Sequence, residues 1–199
     1  MYDVFNMKNP TYHKLLDTAQ DLVQQFGFNA FSYRHLSEAV GIKTASIHYH
    51  FPGKENLGVA LARRHRERFN AVLEQIEADH ADAQTRIEQY AEQFLQTLRQ
   101  GGKICLCGML ASDYATLPEE VRVQIRAFFT ENEAWLTKVL KQGKKSGEFK
   151  FAGVAEDLAV TFFSMLEGAM LGARMFADEN RLQQVINCWR TALLIKNVK

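Results

Sequence analysis

The segment 36–57 constrains the fold more than any other part of the chain, because glycine and proline divide it into short apolar pieces. Apolar residues before Gly41 recur at the spacing of one helical face, and Gly41 can adopt the backbone of a tight helix-to-helix turn. Pro52 and Gly53 end the next piece. The pattern predicts two short helices, a tight turn between them and the start of a third helix, the layout that places one helix in the DNA major groove.

The residue types in this segment support that interpretation. Ser32 can cap the first of the two helices, and Ile42 and Ile47 can hold the second one against it. Small and hydrogen-bonding side chains are then left on the outer surface, which suits an approach to base edges and phosphates. The alternative is a three-helix packing element without a nucleic-acid role.

The stretch from about Thr11 to Leu61 resembles the N-terminal domain of the TetR family of bacterial transcriptional repressors. The matching residues are Gly27-Phe28, Ala39 to Ile42, Ser46-Ile47, Tyr49-His50-Phe51, and Lys54 with Leu57. One position departs from the family pattern, since His48 stands where the family usually has the first aromatic residue of the recognition helix.

The resemblance implies a role for each of these side chains. Thr44, Ala45 and Ser46 would face the bases of a double-stranded DNA operator. The DNA backbone would be contacted by His48, Tyr49, His50 and Lys54, with Tyr33 as a further phosphate candidate. Net charge does not add to this prediction, because the whole chain carries only +1.

Hydrophobic periodicity predicts an all-α protein of about nine helices, with no strand-like alternation. We expect a three-helix helix-turn-helix DNA-binding domain over residues 1–54 and a larger helical domain for effector binding and dimerisation over residues 55–199. The last two helices are predicted at about Val154 to Phe176 and Glu179 to Asn197.

Those last two helices are unusually apolar, and Gly168, Ala169, Gly172 and Ala173 form a narrow surface. Such residues can serve internal packing or let another helix approach closely. The family resemblance implies that these helices form a homodimer. A two-fold dimer presents two recognition helices to successive major grooves, so the operator should be palindromic or nearly so.

Aromatic, methionine and polar residues in the central body suggest a pocket for a small-molecule effector of unknown identity. Asp113 and Glu167 are among the interleaved polar residues. The candidate lining consists of Cys107, Met109, Leu110, Tyr114, Phe128, Asn132, Phe162 and Leu166. A small apolar or electrophilic effector would lower DNA affinity by favouring a form with wrongly spaced recognition helices.

The surroundings of Cys107 resemble a TetR subgroup that includes an electrophile-sensing repressor, which makes this thiol a candidate sensor. The alternative is a buried, inert thiol. Cys105 and Cys107 point in different directions if both lie on a helix, so they form a poor metal pair and an implausible disulfide.

Several classes of function have no support in the sequence. It contains no phosphate-binding loop, nucleophile elbow or HExxH zinc motif, so we expect no enzyme, cofactor or metal. Glu167 and Arg174 interrupt the most apolar stretch, which argues against a membrane span, and three cysteines fit a reducing cytoplasm. A helical protein-interaction adaptor without DNA binding remains an alternative.

Overall fold

The computed structural model describes residues 9–194, and over that range it contains nine α-helices and no strand. The all-α prediction is therefore confirmed. The helices are α1 Pro10–Phe26, α2 Tyr33–Val40, α3 Thr44–His50, α4 Lys54–Asp79, α5 Ala83–Arg99, α6 Leu106–Ser112, α7 Glu119–Ser146, α8 Ala155–Met175 and α9 Asn180–Leu194. A single 3₁₀ turn, Tyr114–Thr116, follows α6.

The chain divides into two compact units. The first unit runs to Glu67 and also includes Leu106–Arg126, whereas the second contains Arg68–Cys105 and the chain from Ala127 onward. The first unit therefore contains more of the chain than the predicted domain 1–54, because α6 and the start of α7 pack with the N-terminal helices. The functional boundary at residue 54 stays a prediction.

Local chemistry explains where the helices of the first unit begin and end. Asn9 caps α1 by accepting a hydrogen bond from the Thr11 N–H at 2.9 Å, directly before Pro10. Ser32 caps α2 in a reciprocal pair with His35. Gly41 has φ 78°, the left-handed conformation that the tight turn before α3 requires.

The second unit is built around aromatic side chains on α5, α7, α8 and α9. Tyr90 of α5 stacks on Trp135 of α7 with ring centroids 5.4 Å apart. Phe162 of α8 stacks on Trp189 of α9 at 4.7 Å. Tyr90 and Phe162 lie 6.2 Å apart, so the four rings form one continuous series of ring contacts.

The two last helices begin one residue later than predicted, and α8 also ends one residue earlier. The predicted end of the last helix at Asn197 lies outside the described residues. Cys105 precedes α6 and is not helical, so the expectation that Cys105 and Cys107 lie on one helix is wrong.

Helix α8 is long and apolar enough to cross a membrane by length and composition alone, and a third (33%) of its most apolar window is buried within the chain. Core helices pass the same test. The buried side of α8 includes Phe162, Leu166 and Met170, which belong to the core of the second unit.

Candidate nucleic-acid interface and regulatory core

Helix α3 presents a face of small and polar side chains to solvent. Thr44, Ala45 and Ser46 are all exposed in its first turn, while Ile47 is fully buried and fixes the helix to the first unit. Tyr49 is 81% exposed, which is high for an aromatic residue. A short helix held on its inner side, with an uncovered outer side of this composition, can approach base edges in a major groove.

Tyr33, predicted to contact a phosphate, instead has its hydroxyl directed into the turn between α3 and α4. The hydroxyl lies 2.9 Å from the Phe51 carbonyl oxygen and 2.7 Å from that of Gly53. Burial, and then the charge of Glu55, raise the Tyr33 pKa, so the proton stays on the oxygen. Because a hydroxyl has one proton to donate, a phosphate would have to compete with these two carbonyls.

The two histidines of α3 lie in different environments. His48 is exposed, its Nδ1 lies 3.1 Å from the Pro52 carbonyl oxygen, and its ring meets the Tyr33 ring edge-on at 4.9 Å. His50 is partly buried beside Tyr12, and this burial lowers its pKa. His48 is therefore the better placed of the two to reach a phosphate, and His50 also packs within the unit.

Lys54, at the start of α4, also has an internal role. Its Nζ donates to the Phe31 carbonyl and lies 4.7 and 4.4 Å from the ring centroids of Phe28 and Phe31. Burial lowers the Lys54 pKa, and the nearby charge of Asp113 acts in the opposite direction. This ammonium stabilises the loop between α1 and α2, so its predicted phosphate contact would be an additional role.

The same loop is held from the other side by Asp113, which follows α6. One carboxylate oxygen accepts hydrogen bonds from the backbone N–H groups of Phe28 at 2.9 Å and Asn29 at 3.3 Å. The Asn29 side chain donates to Thr116 at 2.8 Å. Segment 106–126 is thus joined to the loop that precedes α2 by two charge-assisted hydrogen bonds and one neutral hydrogen bond.

The eight predicted effector-pocket residues are divided equally between the two units. In the first unit Cys107 and Leu110 are fully buried, Met109 is partly buried and Tyr114 is 57% exposed, with Arg122 stacked on its ring. These four residues do not share one environment. Their role as a pocket lining stays a prediction.

In the second unit, Phe128, Asn132, Phe162 and Leu166 are all fully buried. Asn132 accepts a hydrogen bond from the Tyr90 hydroxyl at 2.9 Å and donates to the Phe128 carbonyl at 2.8 Å. Both polar ends of this amide therefore have partners, which stabilise the junction of α5 and α7.

Glu167 is an ionisable group of this core that is only partly satisfied. Its Oε1 is buried without a hydrogen-bond partner, and the carboxyl accepts a hydrogen bond from the Cys105 thiol. Burial raises the Glu167 pKa from its ordinary value of 4.5 to about 7, and the hydrogen bond from Cys105 only partly opposes that shift. No group of three or more metal-ligating side chains occurs within residues 9–194.

The raised pKa of Glu167 predicts a pH-dependent stability. The folded state holds this proton more tightly than the unfolded state, so the unfolding free energy should fall as pH rises from about 4.5 to 7. The full change is about 3 kcal/mol for one group shifted this far. Glu167→Gln should remove this pH-dependent change in the unfolding free energy, and the variant should be more stable than the wild type at pH 8.

Urea unfolding at fixed protein concentration and at several pH values between 5 and 8 measures the effect, with Glu120→Gln at an exposed position of α7 as the control. Parallel pH profiles for the wild type and Glu167→Gln would contradict the prediction.

The turn at Gly41 and the buried Ile47 hold α3 in place, and its outer face is exposed. This arrangement defines a helix-turn-helix DNA-binding protein. Two family models match the chain. "Tetracyclin repressor-like, C-terminal domain" matches residues 83–189, and "Bacterial regulatory proteins, tetR family" matches residues 15–61.

Individual relatives agree with these matches. The HTH-type transcriptional repressor NemR of Escherichia coli K12 is 27% identical over 190 residues, which are 90% of this chain and 94% of NemR. The crystal structure of a TetR-family regulator from Agrobacterium tumefaciens is 31% identical with a TM-score of 0.89, covering 93% of this chain and 99% of that one. A TetR regulator from Legionella pneumophila is 35% identical with a TM-score of 0.84, covering 94% and 98% of the two chains.

The chain belongs to the TetR family and is a DNA-binding transcriptional regulator.

Proposed function

We propose that this regulator is a repressor that binds a palindromic operator as a homodimer and is released by a small-molecule effector. The observation that carries the proposal is the uncovered face of α3, where three small residues precede the exposed Tyr49. We assign base contacts to Thr44, Ala45 and Ser46 and backbone contacts mainly to His48 and Tyr49.

The homodimer is proposed to form through α8 and α9. The outer side of α8 exposes Val160 (45%), Leu171 (57%) and Met175 (80%), which a second copy would cover. A side chain added at Gly168 or Gly172 would meet nothing within 4 Å in the single chain, so the backbone is open to a neighbouring helix there. These features support a helix-on-helix interface, in which the apolar composition of α8 serves association between copies.

The proposed route from effector to DNA follows the chain itself. Cys105 is hydrogen-bonded to Glu167 in the second unit and is the last residue before segment 106–126. Asp113 of that segment accepts hydrogen bonds from the loop between α1 and α2. An effector that moves the start of this segment would change the support of the helix-turn-helix. A coupling of about 1–3 kcal/mol corresponds to a 5- to 150-fold change in operator affinity.

We further propose that the protein acts in the bacterial cytoplasm and has no enzymatic role. The relatives are bacterial transcriptional regulators, which supports both parts of this proposal.

Selection of duplexes from a random pool, followed by salt titration of the best binder, tests the function. We expect a palindromic site and an affinity that falls steeply with salt as counterions compete for the phosphates. A protein-interaction adaptor would select no sequence, so an unenriched pool would refute the proposal.

A second candidate function is electrophile sensing by a thiol. The predicted sensor Cys107 is fully buried in the first unit. Cys105 is also buried, and it has a carboxyl partner in Glu167, which can accept the thiol proton while the sulfur adds to an electrophilic carbon. Sensing by Cys107 stays our prediction, and the contact with Glu167 makes Cys105 the necessary comparison.

For this second function, Cys107→Ser should retain operator binding and lose release by p-benzoquinone. Loss of release only in Cys105→Ser would transfer the role to Cys105. Release that persists in both variants would refute thiol sensing at either position. The measurement is operator binding before and after exposure to the quinone, with Cys188→Ser as a control at an exposed thiol.

A further inference from the structure

The turn between α3 and α4 contains three consecutive backbone carbonyl oxygens that side chains of the first unit contact. The Tyr33 hydroxyl lies within hydrogen-bond distance of the first and the third, those of Phe51 and Gly53. The second, that of Pro52, lies 3.1 Å from Nδ1 of His48. His48 therefore has a structural contact in this turn in addition to its place on the outer face of α3.

The contact with Pro52 determines where the neutral His48 ring carries its proton. A carbonyl oxygen has no hydrogen to donate, so Nδ1 is the donor and Nε2 of the neutral ring is left with a lone pair. Moving the proton to Nε2 would bring two acceptors face to face. His48 is exposed, and within residues 9–194 it has no other hydrogen bond and no ion pair. Nε2 is thus open to a partner that the rest of the described chain does not supply.

His35 in the neighbouring helix α2 has the opposite arrangement. Its Nδ1 lies 3.3 Å from the backbone nitrogen of Ser32, whose N–H donates, so Nδ1 accepts and the ring proton is on Nε2. The neutral ring of His35 thereby completes the capping box of α2. His35 and His48 are both exposed and belong to the same unit, so they form a matched pair that differs in the protonated nitrogen.

The protonation state of His48 decides what Nε2 can bind. A DNA phosphate presents acceptor oxygens, and the neutral ring would turn the lone pair of Nε2 toward them. The doubly protonated ring instead donates from Nε2 and keeps its hydrogen bond to Pro52 from Nδ1. It also carries a positive charge, which makes the contact a charge-assisted hydrogen bond. Histidine changes its charge between pH 5 and 8, so this form is accessible near neutral pH.

The other titratable groups of the surrounding elements do not supply the same donor. Tyr33 of α2 keeps its proton, because burial, and then the charge of Glu55, raise its pKa. Lys54, which begins α4, donates from Nζ to a backbone carbonyl within the unit. His50 of α3 is partly buried, and burial lowers its pKa, so it takes up a proton at a lower pH than an exposed histidine does.

We propose that His48 contacts a DNA phosphate through Nε2 as the imidazolium, so that each subunit takes up a proton when the protein binds its operator. This inference rests on the proposed function in taking α3 as the helix that meets DNA. By linkage, the factor by which the phosphate favours the protonated ring is also the factor by which protonation strengthens DNA binding. One charge-assisted hydrogen bond corresponds to about tenfold in affinity.

Operator titrations between pH 8 and pH 6 test the contact, with the palindromic duplex recovered from the random pool as the probe. We expect the affinity of the wild type to rise by about tenfold or more toward pH 6. The dependence of affinity on salt should also become steeper by about one phosphate contact per subunit. Calorimetric titration at pH 7 in buffers of different ionisation enthalpy should show net proton uptake on binding.

His48→Gln separates the charge from the donor, because the Gln amide places a neutral N–H group near the position of Nε2. This variant should lose most of the pH dependence, match or exceed the affinity of the wild type at pH 8, and bind more weakly than the wild type at pH 6. His35→Gln is the matched control. It removes a titratable ring from the same unit, and Gln is a usual capping-box residue, so its pH profile should remain that of the wild type.

A spectroscopic measurement on the wild type covers the case in which His48→Gln is poorly folded. Nitrogen-15 spectra of the histidine rings at pH 8 should show His48 protonated at Nδ1 and His35 protonated at Nε2. A neutral His48 ring protonated at Nε2 would overturn the inference, since that ring could donate to a phosphate without a second proton.

The sign of the pH dependence is equally decisive. An affinity that falls toward pH 6 in the wild type but not in His48→Gln would mean that the neutral Nε2 accepts from a base amino group, which contradicts a phosphate contact. Equal pH profiles for the two proteins would also overturn the inference, and tight operator binding at pH 8 would then leave the DNA-binding proposal intact. Failure to bind any selected duplex across the whole pH range would refute both.

Discussion

Gly168→Glu is expected to leave each subunit folded but to abolish both self-association and tight operator binding. Gly168 is exposed on α8, and a side chain there meets nothing within 4 Å in the single chain. Replacing a helical glycine also raises helix propensity, by up to about 1 kcal/mol. If α8 packs against its copy, however, the carboxylate is buried without a partner, which costs several kcal/mol.

The loss of operator affinity follows from the loss of the second half-site. Two linked recognition helices gain roughly 10²- to 10⁴-fold in affinity over one, so a monomer should bind weaker by a similar factor. Sedimentation equilibrium and operator titration measure the two effects. Gly168→Ala keeps a small residue and should remain dimeric, and Gln96→Glu places the same charge on an exposed position of α5. A dimeric Gly168→Glu protein would place the interface elsewhere.

The parts of the fold that sequence reasoning obtained correctly depend on local chemistry. Ser32 caps α2 and Gly41 takes a positive φ, and both follow from what a helix start and a tight turn need within a few residues. The same holds for the burial of Ile47 beneath the exposed start of α3. These features can be predicted from neighbouring residues alone, without knowledge of any distant contact.

The polar contacts that hold the site were not predictable in this way. Tyr33 and Lys54 have residue types suited to phosphates, yet their donors are directed to backbone carbonyls of the first unit. A donor can serve either partner, and only the fold decides which one is near. The bond from the Phe28 N–H to Asp113 spans 85 positions of sequence and has no local signature.

The same limit applies to the second unit. The sequence marked Glu167 as a polar residue among apolar ones, but its contact with Cys105 depends on how α8 packs against the loop that follows α5 within the second unit. The apolar side chains around Trp189 come from three helices and the loop at Phe149, and each of them alone looks like an ordinary core residue in the sequence.

Ala45→Glu is expected to have the opposite pattern to Gly168→Glu, with association retained and DNA binding lost. Ala45 is exposed in the first turn of α3, where an acidic side chain interacts favourably with the helix dipole. The fold and the dimer should therefore survive. At the DNA surface the same carboxylate meets phosphates and electronegative base edges, and like charges brought together at an interface cost several kcal/mol.

A penalty of this size lowers operator affinity by more than about 100-fold. Ala45→Gln is the matched control, because Gln has nearly the same size as Glu but no charge. We expect it to change which operator sequence is preferred, and to have a smaller effect on the salt-dependent binding to nonspecific duplex. Together the two Glu variants separate the roles of α3 and α8, because only Gly168→Glu changes the sedimentation behaviour. Normal operator affinity in Ala45→Glu would show that the start of α3 does not enter the groove, even in a protein that dimerises and binds DNA.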